Sequence, residues 1–185
     1  AVNDHSEDQT GRIMDEVAVE HPNVTVIHNP ALRSGWLGKH NAMQTAFEQV
    51  ETEYVLMTDA DVIFQPSCLS LATAELEAKQ LDLLSVYPLF QFVTFCETML
   101  VPIYVAGTAL LLSPRIVDPR CPQAMAVGAF ILVRSKPLRA IDGFDELKAE
   151  ILDDVGLARA FKRHGFSVGL RSAPDLMRVR FFKSN

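Results

Sequence analysis

Short apolar runs alternate with segments of helical spacing along most of this 185-residue chain. Runs of four to seven aliphatic or β-branched residues are too short for buried helices and therefore predict strands. After a strand end at Ala1–Val2, the predicted strands are residues 23–27, 54–57, 81–87, 130–133 and 166–170. Helices are predicted between them, over residues 12–21, 39–50, 67–79 and 151–164. This alternation is typical of an α/β fold in which helices cover both faces of an open, mostly parallel sheet.

The composition limits the class of protein. Hydrophobic residues make up 49% of the chain, which is enough to bury the core of a single domain. The net charge is -6 and no basic stripe is present, so a nucleic-acid partner is not expected.

Neither the cysteines nor the histidines have the spacing of metal ligands. Cys68, Cys96 and Cys121 are far apart, which excludes a zinc ribbon and predicts buried free thiols in a reducing compartment such as the cytoplasm. The five histidines are expected to be structural or exposed: His5, His21, His28, His40 and His164.

One long stretch of the chain is almost without charge. Between Leu83 and Pro114 the only charged residue is Glu97. The uncharged part falls just short of the ~20 residues of a spanning helix, and Pro102 and Gly107 interrupt it. It predicts a buried element or one that lies at a membrane surface, and not a membrane span.

Two aspartates separated by one residue, Asp59 and Asp61, directly follow the predicted strand 54–57. In extended backbone, residues i and i+2 point to the same side, so the two carboxylates can converge on one hard cation. Mg²⁺ or Mn²⁺ held there would in turn hold a diphosphate. The alternative is a polar turn in which one aspartate caps the next helix.

Two further polar segments adjoin predicted elements. Asp4 follows the first strand end and has the chemistry to accept hydrogen bonds from a nucleobase or ribose, although Asp8 or Thr10 would equally cap the next helix. Gly38 and Lys39 open a helix, whose N-terminus favours anions, although an ordinary loop is the alternative.

The last predicted helix carries a pair of acids, Asp153 and Asp154, in its first turn and basic residues in its last turn. Complementarity to the helix dipole is sufficient to explain this pattern. The functional alternative is a general base, because a second carboxylate and partial burial would both raise the pKa of Asp154.

In this order, the four polar segments resemble those of the family 2 glycosyltransferases, which have the GT-A fold. Residues 2–10 resemble the family's V-D-D-x-S-x-D-x-T segment, and residues 38–43 resemble its G-K-x-x-A-L segment. Residues 59–61 resemble its D-x-D motif. Residues 153–154, with Leu-Ala-Arg following, fall at its Glu-Asp pair. The pattern is most similar to hopanoid-associated and ceramide-glucosyltransferase-like enzymes.

The resemblance implies a nucleotide-sugar site. Asp4 would contact the uridine of a UDP-like donor, and Lys39 would lie near the nucleotide. Asp59 would touch the ribose or the sugar, and Asp61 with Asp59 would bind Mg²⁺ or Mn²⁺. These roles would make the chain a metal-dependent transferase.

The resemblance also implies the catalytic step. Asp154, with Asp153 beside it, would deprotonate an acceptor hydroxyl that attacks the anomeric carbon with inversion. The apolar stretch 83–112 and the basic, aromatic tail predict a lipid or polyisoprenoid acceptor and contact with a membrane surface.

The chain departs from the family pattern at several places. The family's usual first strand and helix have no counterpart, and neither have its later membrane helices, so residues 1–185 are interpreted as one catalytic-type domain truncated at both ends. Asp153 replaces the usual Glu, Gly128–Ala129 replaces Gly-Gln, and Q-x-x-R-W is absent. One alternative is therefore a non-catalytic fragment that binds nucleotide weakly or not at all and dimerises through an open sheet edge. Another is a nucleotidyltransferase on a related fold.

Overall fold

The computed structural model describes residues 1–92, 94–111, 121 and 123–180. The strands are β1 (Val2–Asn3), β2 (Ile27–His28), β3 (Tyr54–Met57), β4 (Val62–Phe64), β5 (Leu83–Tyr87), β6 (Leu89–Gln91), β7 (Ile131–Arg134), β8 (Val168–Ser172) and β9 (Met177–Arg180). The helices are α1 (Thr10–Glu20), α2 (Gly38–Phe47), α3 (Cys68–Ala78), α4 (Phe95–Leu111), α5 (Ser135–Ala140) and α6 (Asp153–Arg163), with a 3-10 turn at Asp145–Leu147.

The central sheet has four strands in the order β3-β7-β5-β8. Strands β5 and β8 are parallel, whereas β7 runs antiparallel to both β3 and β5. Met57 and Ser85, near the ends of β3 and β5, both pair with Ile131 at the start of β7. Strand β7 therefore enters the sheet at the end where β3 and β5 finish, and runs back between them. The predicted α/β class is confirmed, but the sheet is mixed because this return reverses β7.

Two smaller sheets flank the central one. Strands β1 and β2 form a parallel pair, and β4, β9 and β6 form a three-stranded sheet in that order. The prediction of a strand over 23–27 is wrong in extent, since only Ile27 of that run is in β2. The backbone amide of Val24 instead donates to the carbonyl of His21 in a turn.

Both faces of the central sheet are buried. On β7, Ile131 and Val133 pack into one apolar cluster, while Leu132 packs into the other. Helix α6 contributes Phe161 to the first cluster, and helix α3 contributes Leu76 to the second. Helices therefore cover both faces of the sheet, as the sequence predicts. The helices packed on both faces hold in place the end of the sheet at which β3 ends and β7 begins.

Helix α4 takes up most of the described part of the uncharged stretch. Its Glu97 and Val101 are buried, but the large apolar side chains of the opposite side are exposed, Phe95 by 79% and Leu100 and Ile103 by 65% each. The expectation of a buried element is wrong for this side of the helix. Across the described residues, we find no helix long and apolar enough to cross a bilayer. Residues 112–120 of the predicted stretch and its following loop lie outside the described residues.

Candidate active site

The predicted site residues come from separate elements that meet at one edge of the central sheet. Asp59 follows β3, and Lys39 lies in the first turn of α2. Asp153 and Asp154 open α6, and Gly128 lies in the segment that leads into β7. The carboxyl end of β3 and the start of β7 are held together there by the Thr58 hydroxyl, which donates to the Ala129 carbonyl over 2.9 Å.

Lys39 joins two of these acids. Its Nζ lies 2.7 Å from Asp153 Oδ2 and 3.5 Å from Asp59 Oδ1. Burial by itself lowers the pKa of Lys39, but the hydrogen bonds and charges of Asp153 and Asp59 outweigh it and hold the pKa above its ordinary value. The ammonium group therefore remains charged and links the end of β3 to the start of α6.

Asp154 is half-buried and hydrogen-bonded. Its Oδ2 accepts from the Gly128 amide over 3.1 Å, and its Oδ1 accepts from the Val155 amide over 2.7 Å. Burial raises the pKa of Asp154, and the neighbouring charge of Asp153 adds to the rise, whereas the two amide hydrogen bonds oppose it. The net direction is upward, as the sequence predicts.

Gly128 occupies the point where these groups converge. A Cβ on this residue would lie 3.5 Å from Asp59 Oδ2 and 3.9 Å from both Asp154 Oδ2 and Lys39 Nζ. The absence of a side chain thus keeps open the space bounded by two carboxylates and an ammonium group. The sequence indicates Gly128 only as part of a departure from the family pattern, because a missing side chain gives no chemical signal of its own.

Asp4 reaches the N-terminus of α2. Its Oδ2 lies 2.7 Å from the point where a Cβ on Gly38 would be, so only glycine fits there without a shift. Its Oδ1 lies 3.0 Å from Nδ1 of His5, and the His5 amide donates to Asn29 Oδ1 over 3.0 Å. Asp4 therefore lies next to the helix turn that carries Lys39.

Asp61 is exposed at the start of β4, two residues beyond Asp59. No group of three or more His, Cys, Asp or Glu side chains close enough to hold a metal ion occurs within the described ranges. Asp59 and Asp61 are the two acids that the sequence predicts as metal ligands here, and a cation held by one or two carboxylates would keep its remaining positions for a substrate. Mg²⁺ commonly binds in this way, through one or two carboxylates together with phosphate oxygens.

Structural explanations account for Asp8 and for the three cysteines. Hydrogen bonds from the Thr10 hydroxyl and from the Thr10 amide, the latter 2.9 Å from Asp8 Oδ1, lower the pKa of Asp8. Asp8 thus accepts from a backbone amide of the first turn of α1, although the N-cap position itself is Gln9. All three cysteines are free thiols, as predicted. The expectation of burial holds for Cys68, but Cys96 is exposed because it lies on the open side of α4.

His40 was not singled out by the sequence as a site residue. It follows Lys39 in α2 and is only 2% exposed. Its burial agrees with the structural role expected of the histidines. No spacing in the sequence distinguishes a histidine that lies beside a charged site from one in an ordinary core.

Comparisons with known proteins identify the family and the fold. The sequence model described as Glycosyl transferase family 2 matches residues 1–110. A search of curated proteins gives no significant match. Among solved structures, the mannosyltransferase PcManGT from Pyrobaculum calidifontis, in complex with GDP-Man and Mn²⁺, superposes with a TM-score of 0.69 at 19% identity, covering 100% of this chain and 48% of that one. S. aureus TarS in complex with UDP superposes with a TM-score of 0.61 at 18% identity, covering 97% of this chain and 49% of that one.

At these identities the structural likeness shows the fold alone, and the chain spans about half the length of these solved structures. The family match supports more than the fold, because it extends over more than half of the chain and so shows the family. On these grounds the chain has the GT-A fold and belongs to glycosyl transferase family 2, a family of transferases.

Proposed function

We propose that this chain binds a nucleotide sugar and transfers the sugar to an acceptor hydroxyl with inversion. The observation that carries the proposal is the convergence of Lys39, Asp59 and Asp154 around the open space at Gly128. Around that space, the ammonium group of Lys39 can bind a diphosphate and the carboxylate of Asp59 can bind a sugar or ribose. The third group is the carboxylate of Asp154, whose pKa is raised.

The donor would lie across the first turn of α2. A helix N-terminus favours phosphate groups, and the charged ammonium of Lys39 lies at this one. Asp4, next to the same turn, would accept hydrogen bonds from the uridine of a UDP-like donor, and Asp59 would contact the ribose or sugar. Mannosyltransferase PcManGT binds GDP-Man and TarS binds UDP, which supports a nucleotide donor without choosing the base.

Mg²⁺ or Mn²⁺ is the proposed cofactor, with Asp61 and Asp59 as its ligands. Both residues are exposed and offer carboxylate oxygens beyond the end of β3. Two carboxylates together with substrate phosphates suit these cations. When bound, the cation would supply charge stabilisation to the departing diphosphate.

Asp154 is the proposed general base. It would take the proton of the acceptor hydroxyl as that oxygen forms its bond to the anomeric carbon and the bond to the diphosphate breaks. Its raised pKa makes the carboxylate a stronger base than an exposed aspartate. Asp153 would contribute by its charge next to Asp154 and by holding Lys39.

The proposed acceptor is a lipid or polyisoprenoid alcohol. Ile151 and Leu152, directly before the acidic pair, are 89% and 59% exposed, which is unusual for large apolar side chains next to a charged site. The exposed side of α4 is also apolar. Both features support a peripheral contact with the cytoplasmic face of a membrane, and the hopanoid-associated or ceramide-glucosyltransferase subtype remains part of this proposal.

A second candidate is a non-catalytic domain that pairs with another copy. Strand β3 lies at an edge of the central sheet, and edge strands are templates for pairing between chains. Sedimentation of the chain separates this alternative from the first. A dimer without nucleotide binding supports it, whereas a monomer that binds nucleotide excludes it.

The deciding experiment is calorimetric titration with UDP and GDP, with and without Mn²⁺. We expect binding that requires Mn²⁺ in the wild type and is lost in Asp61→Ala. Glu51→Ala, which removes an exposed carboxylate before the opposite end of β3, is the matched control and should bind as the wild type does. Equal binding by the Asp61→Ala and Glu51→Ala variants would refute the assignment of Asp61.

A further inference from the structure

Strand β5 contains a buried hydroxyl, that of Ser85. The other residues of this strand are apolar or aromatic, and Ser85 itself is 0% exposed. Leu83, two residues earlier and on the same side of the sheet, packs into the apolar cluster to which α6 contributes. A hydroxyl buried among apolar side chains costs free energy unless it is hydrogen-bonded, so this position needs an explanation.

The Ser85 hydroxyl joins the two ends of the turn that carries Gly128. The Phe130 amide donates to the Val127 carbonyl over 3.1 Å, which closes the four-residue turn 127–130. Ser85 Oγ accepts from the Val127 amide over 2.8 Å and donates to the Phe130 carbonyl over 3.1 Å. The Val127 carbonyl, at 3.4 Å, is the more distant acceptor for this hydroxyl. One side chain thus holds the first and the last residue of the turn.

The turn 127–130 directs the Gly128 amide at the proposed base. Gly128 is the first of the two central residues of the turn, and its amide donates to Asp154 Oδ2 over 3.1 Å. The other carboxylate oxygen, Oδ1, accepts from the Val155 amide. Of these two bonds, the one from Gly128 ties the carboxylate to the sheet, whereas the other lies within its own helix. The position of the turn therefore determines the position of Oδ2.

We propose that Ser85 is a positioning residue for the transfer reaction: it holds both ends of the turn 127–130, so that the Gly128 amide keeps Asp154 Oδ2 beside the open space at the site. The inference rests on the proposed function, because the position of this oxygen matters to the reaction only if Asp154 is the base. Because Ser85 is fully buried, it acts through the turn and not by touching a substrate.

Replacement of Ser85 by alanine would loosen one end of the turn more than the other. The Val127 amide would lose its acceptor, so the start of the turn could move. The end of the turn would remain in the sheet, because the Val86 amide also donates to the Phe130 carbonyl over 3.1 Å. The displacement would therefore fall on the side of the turn that carries the Gly128 amide.

The first test requires no substrate. In Ser85→Ala, amide hydrogen exchange followed by NMR should show the Gly128 amide exchanging about tenfold faster than in the wild type, because its turn opens locally. Ser135→Ala is the matched control, since Ser135 is also buried and its hydroxyl donates to the Thr52 carbonyl over 2.5 Å at the opposite end of the sheet. The amide of Val133, buried in β7, shows that the sheet of each variant is folded. Equal exchange of the Gly128 amide in the two variants would overturn the proposal.

The second test separates positioning from stability. The assay is the release of UDP or GDP from UDP-GlcNAc or GDP-Man, with a polyisoprenoid alcohol as acceptor. In Ser85→Ala, kcat should fall by about 10–100-fold, because a displaced base reacts poorly. The KM of the donor should stay unchanged, because the donor would lie on α2. Ser135→Ala should keep the kcat of the wild type.

Either of two results contradicts the proposal: an unchanged kcat in Ser85→Ala, or an equal loss of kcat in Ser135→Ala. If the wild type transfers no sugar from either donor, the proposed function fails for these donors. The exchange of the Gly128 amide then still decides whether Ser85 holds the turn.

Discussion

Substitution of Gly128 by alanine tests whether the open space at the site is used by a substrate. The added methyl group would lie 3.5 Å from Asp59 Oδ2 and 3.9 Å from Asp154 Oδ2 and Lys39 Nζ. These are ordinary contact distances, so the protein itself accommodates the methyl group without a clash. The backbone at Gly128 is also not in the left-handed region. Stability should therefore be unchanged, or increased by about 0.4–1 kcal/mol because the unfolded chain becomes less flexible.

Activity should respond in the opposite way. The methyl group would occupy the space that a sugar or acceptor hydroxyl needs between Asp59 and Asp154. Displacement of reacting groups by about 1 Å costs on the order of 10²-fold in rate, so we expect at least this loss in kcat/KM. The assay is the release of nucleoside diphosphate from the donor in the presence of acceptor, with urea unfolding as the measure of stability.

Gly165→Ala is the matched control. Gly165 follows α6 with a φ of 81°, and no atom lies within 4 Å of a Cβ built there. Alanine in this left-handed conformation should cost about 1–2 kcal/mol of stability and leave kcat/KM unchanged while the protein is folded. Full activity in Gly128→Ala would refute the idea that substrates use this space.

Three further predictions concern the base, the core and the surface. Asp154→Asn should lower kcat/KM by about 10²–10⁴-fold. Because the pKa of Asp154 is raised above 3.8 in the folded state, the wild type should lose stability as the pH rises through that pKa, and urea unfolding of the Asn variant should lack this loss. Phe161→Ala, at a fully buried position, should cost about 3–5 kcal/mol of unfolding free energy, measured by urea denaturation. Leu100→Ser with Ile103→Ser should weaken sedimentation with lipid vesicles and leave UDP binding intact, and unchanged sedimentation would contradict a membrane role for α4.

The parts of the fold with strong local patterns could be predicted from the sequence. Strand 54–57 was predicted residue for residue, because a four-residue apolar run between polar segments has few alternatives. Strand 23–27 was misplaced because β-branched residues favour strands only where a partner exists, and β1 offers just Val2 and Asn3. Strands β4 and β6 were missed because three residues carry too short a pattern, and β9 was missed because basic residues alternate with its apolar ones and interrupt an apolar run.

For the site, the sequence indicated its charged side chains better than its remaining parts. Lys39, Asp59 and Asp153 were identified from the ordered segments that carry them, and the structure places both carboxylates within 3.5 Å of Lys39 Nζ. Gly128 was not identified as a site residue, because its contribution is the absence of a side chain. His40 was missed because burial depends on the packing of α2 against the loop before α6, which no local pattern reports.

The antiparallel insertion of β7 also affects how the chain reaches its fold. Tyr54 pairs with Arg134, 80 residues later in the chain, so β3 has no partner in the central sheet until β7 has been made. At about 5–20 residues per second, synthesis of the intervening chain takes roughly 4–16 s. During that time the apolar edges of β3 and β5 are unpaired, and such edges are prone to aggregation. Folding of this sheet is therefore expected to be late and slow, and yields of folded protein should improve when chaperones that cover the unpaired strands are supplied.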